Sequence, residues 1–204
     1  GEQAGKNEKP KNVAILRGDG TSFDKNVIYF RVINRVTSGI SVLFKAVANF
    51  RQGNKILVVT TPPSLPFMTA VAALIKGASY VLLIHDNYPE ILIAVGAVKK
   101  DSFFVSVVNL INRWVYKYAS NIIVMGRCMK ELFVKKTAGL DVPIVTIPNW
   151  GDIESVHPTP RENNQLLKEL GISDKFVFMY AGNIGHPTDV ETIIECAAKL
   201  INRE

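Results

Sequence analysis

Short apolar runs alternate along this chain with longer segments in which apolar residues recur every three or four positions. The runs are rich in valine and isoleucine, which is typical of buried β-strands. They cover residues 12–17, 55–61, 80–85, 121–125, 143–147 and 176–181. The periodic segments predict amphipathic helices, over residues 35–52, 65–76, 102–118, 128–136, 162–170 and 190–202. This alternation predicts an α/β fold with a parallel sheet and helices on both of its faces.

A polar stretch that contains Pro158 and Pro160 follows the fifth apolar run. Prolines at this density interrupt both helices and strands, which predicts a domain boundary. We expect a loose tail over residues 1–11, an α/β domain over 12–150, a linker over 151–161 and part of a second α/β unit over 162–204. The last segment is too short to form a parallel sheet of its own, so we expect this unit to be truncated.

The composition is that of an ordinary globular protein, with 48% hydrophobic and 21% charged residues among 204. Cys128 and Cys196 match no metal-binding or redox spacing, which favours a reducing compartment, the cytoplasm. Residues 1–11 lack the apolar core of a secretory signal. Prolines interrupt the apolar stretch 56–75, so we expect no transmembrane helix there.

Positive charge is concentrated in the first half of the chain. No acidic residue lies between Asp24 and Asp86, whereas seven lysines and arginines do. Such a field favours anionic partners, and the apolar residues between the charges favour an anionic membrane surface over nucleic acid. The residues expected to meet the membrane are Arg31, Arg35, Lys45 and Arg51. The alternative is a core helix whose solvated face happens to be basic.

Polar and titratable groups follow the third apolar run directly, where residues 85–90 are His-Asp-Asn-Tyr-Pro-Glu. Ligands of open parallel sheets bind outside the carboxyl ends of the strands. His85 can donate, accept or carry a proton near neutral pH, and Asp86 can orient a hydroxyl nucleophile. Neighbouring strand residues point in opposite directions, so at most one of the two faces a crevice unless the turn has begun. In the alternative both are structural.

A glycine-rich turn joins the last apolar run to the last predicted helix. Gly182 and Gly185 allow a tight turn and a close approach of a ligand, and a helix start carries partial positive charge, so the turn can hold a phosphate or diphosphate. In the alternative the glycines serve only the geometry of the turn. Ser64 stands where it can cap the helix after the second run. No metal-ligand spacing is visible, so we expect neither a metal nor a bound cofactor.

Four short motifs occur in order: Thr-Pro-Pro-Ser at 61–64, His-Asp-Asn-Tyr-Pro-Glu at 85–90, Ile-Pro-Asn-Trp-Gly-Asp at 147–152 and Ala-Gly-Asn-Ile-Gly at 181–185. Together they resemble the bacterial family 4 glycosyltransferases, above all those that build capsular, exopolysaccharide or O-antigen repeat units. The resemblance implies a GT-B architecture, in which two Rossmann-like domains face a cleft, with the acceptor on the first and the nucleotide-sugar on the second. Retaining, metal-independent transfer is the usual chemistry of that family.

On that resemblance, the expected catalytic residues are His85 and Asp86. The expected acceptor-binding residues are Pro63, Ser64, Asn87, Tyr88 and Glu90. The expected donor-diphosphate-binding residues are Gly182, Asn183 and Gly185. The implied substrates are a nucleotide-diphosphate sugar as donor and a lipid-linked or glycan acceptor at the cytoplasmic face of the membrane.

The chain departs from the family pattern at both ends. The strand and glycine-rich loop with which family members begin would lie upstream of Gly1, and the paired glutamates that hold the donor would lie beyond the last helix. We therefore expect an internal fragment that is inactive alone. The alternative function is a non-catalytic α/β module that binds anionic membrane or a protein partner through its basic N-terminal half.

Overall fold

The computed structural model describes residues 13–24, 27–152, 154–184 and 188–200, without the side chains of residues 28, 31, 32 and 35. The chain divides into two units, Gly1–Pro148 and Asn149–Glu204. The division follows Pro148, at the start of the polar, proline-containing stretch. All strands of the described residues lie in the first unit.

The first unit is built on a sheet of parallel strands. These strands are β1 (Lys55–Val59), β2 (Ser79–Ile84), β3 (Asn121–Val124) and β4 (Ile144–Thr146), and they stand in the sheet in chain order. A helix-containing segment connects each strand to the next, as parallel pairing requires. The predicted α/β fold with a Rossmann-like parallel sheet is confirmed.

Helices precede and connect these strands. They are α1 (Ile28–Asn49), α2 (Leu65–Lys76), α3 (Glu90–Ala94), α4 (Phe103–Tyr118) and α5 (Arg127–Lys136). α2 has its predicted bounds, α4 and α5 differ from theirs by one residue at the start, and α3 was not predicted. Among the helices that the structure describes, none combines the length and the apolar character needed to cross a bilayer.

The two helix starts that carry a serine differ in their caps. The Ser102 hydroxyl accepts a hydrogen bond from the backbone N–H of Val105, at 3.3 Å, and so caps α4. Ser64 precedes α2 but makes no capping hydrogen bond through its side chain, so the predicted cap is wrong. The reason lies in its backbone, which is already helical at φ −76° and ψ −20°, whereas a capping residue is extended.

The hydrophobic core lies between one face of the sheet and helices α2, α4 and α5. Tyr80, Leu82 and Ile84 alternate along β2, and each is at most 1% exposed. Phe133 of α5 packs against Tyr116 of α4, with ring centroids 5.3 Å apart. Further core residues come from the other strands, from α2 and α4, and from the segments after α4 and before β4: Val58, Ala70, Ala73, Val115, Ala119, Ile122, Val124 and Val142.

The opposite face of the sheet is less covered. Leu57 of β1 is 63% exposed and Val145 of β4 is 42% exposed, while Val81 and Leu83 of β2 are half-buried. β1 also stands at the edge of the sheet, with a described strand on one side only. The core of the first unit is therefore one-sided.

Two predicted strands are wrong. Residues 13–17 and 176–181 have no regular structure, and residue 12 lies outside the described residues. Ile15 is 60% exposed, and Phe176 and Phe178 are 85% and 84% exposed. A strand needs a neighbour to pair its backbone N–H and C=O groups, and no described strand stands beside either segment.

The second unit, taken by itself, contains the 3₁₀ turn Arg161–Asn163, α6 (Gln165–Glu169) and α7 (Val190–Leu200). The Asn164 side chain caps α6 by accepting from the backbone N–H of Leu167, at 3.2 Å. The Arg161 guanidinium donates to the carbonyls of Ser173, at 2.9 Å, and Lys175, which ties the turn to the loop after α6. The helix predicted over 162–170 is therefore divided into a turn and a short helix.

Replacing Tyr80 by Phe tests the link between β2 and α4. The Tyr80 hydroxyl donates to the backbone carbonyl of Val115, and burial raises the pKa of this phenol, so the donor keeps its proton at ordinary pH. We expect Tyr80→Phe to lower the free energy of unfolding by about 1 kcal/mol, measured by urea denaturation. Tyr118→Phe is the control, because Tyr118 is 44% exposed. Equal losses in the two variants would contradict this role of Tyr80.

Candidate functional site

The loops that follow β1 and β2 meet at the carboxyl edge of the sheet, because the two strands are parallel and paired in register. The Thr60 hydroxyl accepts hydrogen bonds from the backbone N–H groups of His85, at 3.1 Å, and Asp86, at 2.9 Å. The Thr61 hydroxyl donates to Oδ2 of Asp86, at 2.5 Å. The neighbouring loop therefore holds both residues that the sequence marks as catalytic.

His85 and Asp86 differ in their surroundings. Asp86 is half-buried and lines a small cavity together with Ile84, two residues before it. His85 is exposed, and its imidazole makes no hydrogen bond to any residue that the structure describes. This difference continues the alternation along β2, in which even-numbered residues face the core. His85 is the one of the two whose side chain a ligand can reach freely.

The cavity beneath this loop has a volume of about 30 Å³. Its polar lining comes from Thr60, Asp86, Asn87 and Asn112. Such a space has room for about one water molecule, whereas sites for small organic ligands have volumes of about 300 Å³ or more. Within the first unit, a ligand of that size must therefore meet this loop from outside the sheet edge.

Lys136, the last residue of α5, binds the same loop. Its ammonium group donates to both carboxylate oxygens of Glu90, at 2.7 and 2.8 Å, and to Oδ1 of Asn87, at 3.0 Å. The Lys136 side chain is 12% exposed and that of Glu90 is 34% exposed. Burial lowers the pKa of Lys136, and the hydrogen bond and charge of Glu90 partly oppose this effect. The ion pair joins the loop after β2 to a helix 46 residues further along the chain.

Three residues expected to bind the acceptor make contacts that hold the loop. Asn87 is 8% exposed, and its side-chain oxygen is bound by Lys136. Glu90 has both oxygens bound by the same ammonium group. The carbonyl of Tyr88 accepts from Nδ2 of Asn112 in α4, at 2.8 Å. In this structure these residues attach the loop after β2 to α4 and α5. Their contact with an acceptor stays a prediction.

The other two residues expected at the acceptor site lie on the loop after β1. Pro63 is exposed and Ser64 is half-buried. Each of the two site loops contains a cis peptide bond before proline, Thr61–Pro62 in one and Tyr88–Pro89 in the other. The structure places both loops at one edge of the sheet, and the acceptor role of Pro63 and Ser64 stays a prediction.

The sequence did not single out Thr60, Asn112 or Lys136 as site residues. A signal for Thr60 was present, because a hydroxyl directly after one parallel strand lies level with the end of the next. Asn112 is one of several polar residues of an amphipathic helix, which is a weaker signal. Lys136 gave none, since a lysine in the last turn of a helix is ordinary.

The glycine-rich turn belongs to the second unit, and Gly185 lies outside the described residues. Gly182 is exposed in a bend. The carbonyl of Asn183 accepts a hydrogen bond from the hydroxyl of Tyr180, at 2.9 Å. The described part of the turn is therefore braced by a local contact, and diphosphate binding there stays a prediction.

The start of α7 carries a carboxylate. Asp189 directly precedes the helix and has a left-handed backbone, with φ at 42°. Its Oδ2 accepts from the hydroxyl of Thr192, at 2.6 Å. A carboxylate at this position interacts favourably with the helix dipole itself and would repel a second anion at close range.

No group of three histidine, cysteine, aspartate or glutamate side chains within the described ranges is arranged to hold a metal ion. Cys128 and Cys196 are both exposed and free. The expectation of chemistry without a metal or bound cofactor stays a prediction.

Two curated proteins are similar to this chain over most of its length. One is named "Probable glycosyltransferase WbjE", from Pseudomonas aeruginosa, and is 29% identical over 181 residues, which are 89% of this chain. The other is named "Putative colanic acid biosynthesis glycosyl transferase WcaI", from Escherichia coli, and is 26% identical over 176 residues, 83% of this chain. No family model matches the chain, and no solved structure matches it significantly.

The chain spans less than half the length of both relatives, 45% of the first and 43% of the second. Both names describe a glycosyltransferase, and the second adds colanic acid biosynthesis. The similarity therefore supports a relationship between this chain and the glycosyltransferases.

Removing one partner of the Lys136–Glu90 pair should destabilise the first unit. Glu90→Gln leaves an ammonium group that is 12% exposed without its counter-charge, whereas Lys136→Met leaves a carboxylate that is 34% exposed and that water can reach. We expect the free energy of unfolding to fall by about 2–3 kcal/mol for Glu90→Gln and by about 1–2 kcal/mol for Lys136→Met, as measured by urea denaturation.

The matched control is the Lys175–Asp174 pair, whose nitrogen and oxygen are 3.4 Å apart and whose side chains are 67% and 74% exposed. Lys175→Met removes the same charge from an exposed pair and should change stability by less than about 0.5 kcal/mol. If Lys136→Met costs no more than Lys175→Met, the Lys136 ion pair does not hold the loop.

Proposed function

We propose that this chain is the acceptor-side part of a glycosyltransferase. Such an enzyme transfers a sugar from a nucleotide-diphosphate donor to a lipid-linked or glycan acceptor during synthesis of a cell-surface polysaccharide. The observation that carries the proposal is the strand edge at which Thr60 and Thr61 hold His85 and Asp86. The similarity to two proteins named as glycosyltransferases supports it.

His85 is the group of the first unit best placed to contact a substrate. Its backbone is held by Thr60, while its imidazole is exposed and makes no hydrogen bond to a described residue. A neutral imidazole offers one donor and one acceptor, and a fixed backbone keeps both in position. We assign to His85 a contact with the acceptor hydroxyl or with the sugar that is transferred.

Asp86 contributes a carboxylate whose position is set by its neighbours. Oδ2 accepts from Thr61, whereas Oδ1 makes no hydrogen bond to a described residue. A carboxylate oxygen held in this way can accept a hydrogen bond from an acceptor hydroxyl and favour its attack. Asp86 therefore complements His85 at the acceptor side of the reaction.

The donor belongs, in this proposal, to the second unit. Gly182, Asn183 and Gly185 would approach the diphosphate, and backbone amides before α7 would stabilise its charge as it departs. Asp189 at the same helix start argues for contact through the turn itself rather than through the helix end. A GT-B arrangement, membership of family 4, retaining transfer without a metal and a cytoplasmic location are parts of the same proposal.

The direct test uses a form of the protein extended to the length of the two relatives, nucleotide sugars labelled in the sugar, and a bacterial lipid extract as acceptor. We expect label to enter the lipid or polysaccharide fraction. His85→Ala should lower kcat by about 100-fold with a smaller change in the KM of the donor, because the imidazole acts on the reacting hydroxyl. If the unmodified protein transfers no sugar from any common nucleotide donor, the proposal fails.

Two further variants show which carboxylate contributes to kcat. Asp86→Asn keeps an oxygen for Thr61 but removes the negative charge, and should also lower kcat. Glu131→Gln changes an exposed carboxylate on α5 and should leave kcat unchanged. A His85→Ala protein with the kcat of the unmodified enzyme would exclude His85 from the chemistry.

A further inference from the structure

The first half of α4 presents an apolar stripe to solvent. Phe103 is 84% exposed, Phe104 is 51% exposed and Leu110 is 71% exposed. Val107 and Ile111 complete the stripe at 36% and 39%. Because helix residues spaced by three or four positions are neighbours on the surface, Phe103, Val107 and Leu110 share one face. Contiguous exposed apolar surface of this kind marks a binding site for a protein or a membrane.

The stripe extends from the candidate site. Asn112, directly after the stripe, donates to the carbonyl of Tyr88 in the loop after β2, at 2.8 Å. Phe67, the third residue of α2, packs against Trp114, the twelfth residue of α4, with ring centroids 5.7 Å apart. Both helices lead the chain back from the carboxyl edge to the next parallel strand. The start of α4 therefore projects beyond the start of α2 by about 13 Å, on the side of the candidate site.

Basic residues lie on both sides of the stripe. Lys99 and Lys100 are exposed shortly before α4, and Lys117 is exposed in its second half. Arg113 is exposed as well, but its guanidinium donates to the backbone carbonyls of Lys136 and Ala138. From residue 91 to residue 130 the chain has one acidic residue, Asp101. An apolar helix face with flanking lysines and arginines is complementary to a bilayer that carries anionic headgroups.

We propose that residues 99–111 bind an anionic phospholipid bilayer. The Phe103–Leu110 face enters the boundary between headgroups and acyl chains, and Lys99 and Lys100 meet the phosphates. This surface is not the one predicted from the sequence. Lys45 forms an ion pair with Asp19, at 2.7 Å, and donates to the carbonyl of Arg17, so it is engaged within the chain.

The side chains of Arg31 and Arg35, also predicted to meet the membrane, lie outside the described residues, and Arg51 is exposed in the turn after α1. The inference does not rest on the proposed transferase activity, because a non-catalytic module could use the same surface.

Vesicle flotation of the whole chain tests the inference, without donor or acceptor. The vesicles are made of phosphatidylcholine alone or of phosphatidylcholine with phosphatidylglycerol. We expect binding to the anionic vesicles, with little binding to the neutral ones. Raising the salt concentration from about 0.1 M to about 1 M should weaken binding, because screening shortens the reach of the lysine charges.

Two double variants separate the apolar and the charged contributions. Phe103→Ser with Leu110→Ser keeps every charge and should weaken binding by at least about tenfold. Lys99→Gln with Lys100→Gln should weaken it by about fivefold for each lysine. Val134→Ser is the control, because Val134 is an apolar residue of α5 that is 53% exposed and lies outside the stripe. Circular dichroism and urea denaturation verify that each variant is folded.

Three outcomes would overturn the inference. The first is no binding to anionic vesicles, or equal binding by all variants. The second is loss of binding in the lysine variant only, which would mean electrostatic attraction without insertion. The third is that the unmodified chain does not bind vesicles but is a dimer in light scattering, whereas the serine variant is a monomer. This result would make the stripe an interface between two copies of this chain.

Discussion

The candidate site depends on one hydroxyl, that of Thr60. Where parallel strands end, backbone N–H groups lose their partners in the ladder and need others. The Thr60 oxygen accepts from two of them, those of His85 and Asp86, and the next residue holds the Asp86 carboxylate. The end of β1 thus fixes the backbone after β2 and the side chain of Asp86. Because this follows from the register of β1 and β2, the site is a consequence of how the sheet is paired.

The strands of the first unit could be predicted because each apolar run has a neighbour to pair with. β1 to β4 begin and end within two residues of the predicted ranges. The runs at 13–17 and 176–181 have a similar composition but no described strand beside them, and they have no regular structure. Apolar, β-branched composition indicates that a segment fits a sheet, whereas the supply of hydrogen-bond partners decides whether it is a strand.

The place of the candidate site could also be predicted, but its internal contacts could not. A buried run that ends in His85 and Asp86 marks the carboxyl edge of a sheet from the sequence alone. The contact of Lys136 with Glu90 joins residues 46 apart and depends on where α5 ends relative to the loop, which is a property of the packed unit. A short motif therefore does not distinguish the residues that meet a ligand from those that support them.

The same ion pair determines how the loop after β2 can move. Three elements hold this loop: the end of β1 through Thr60, α4 through Asn112 and α5 through Lys136. Opening it would leave the Lys136 ammonium group, which is 12% exposed, without its counter-charge, so the ion pair opposes movement of the loop away from α5. The loss of conformational entropy that comes with ordering this loop therefore occurs when the chain folds and not when a ligand binds. A ligand that arrives at this edge therefore meets a loop that is already ordered, and the adjustment of shape falls to the ligand.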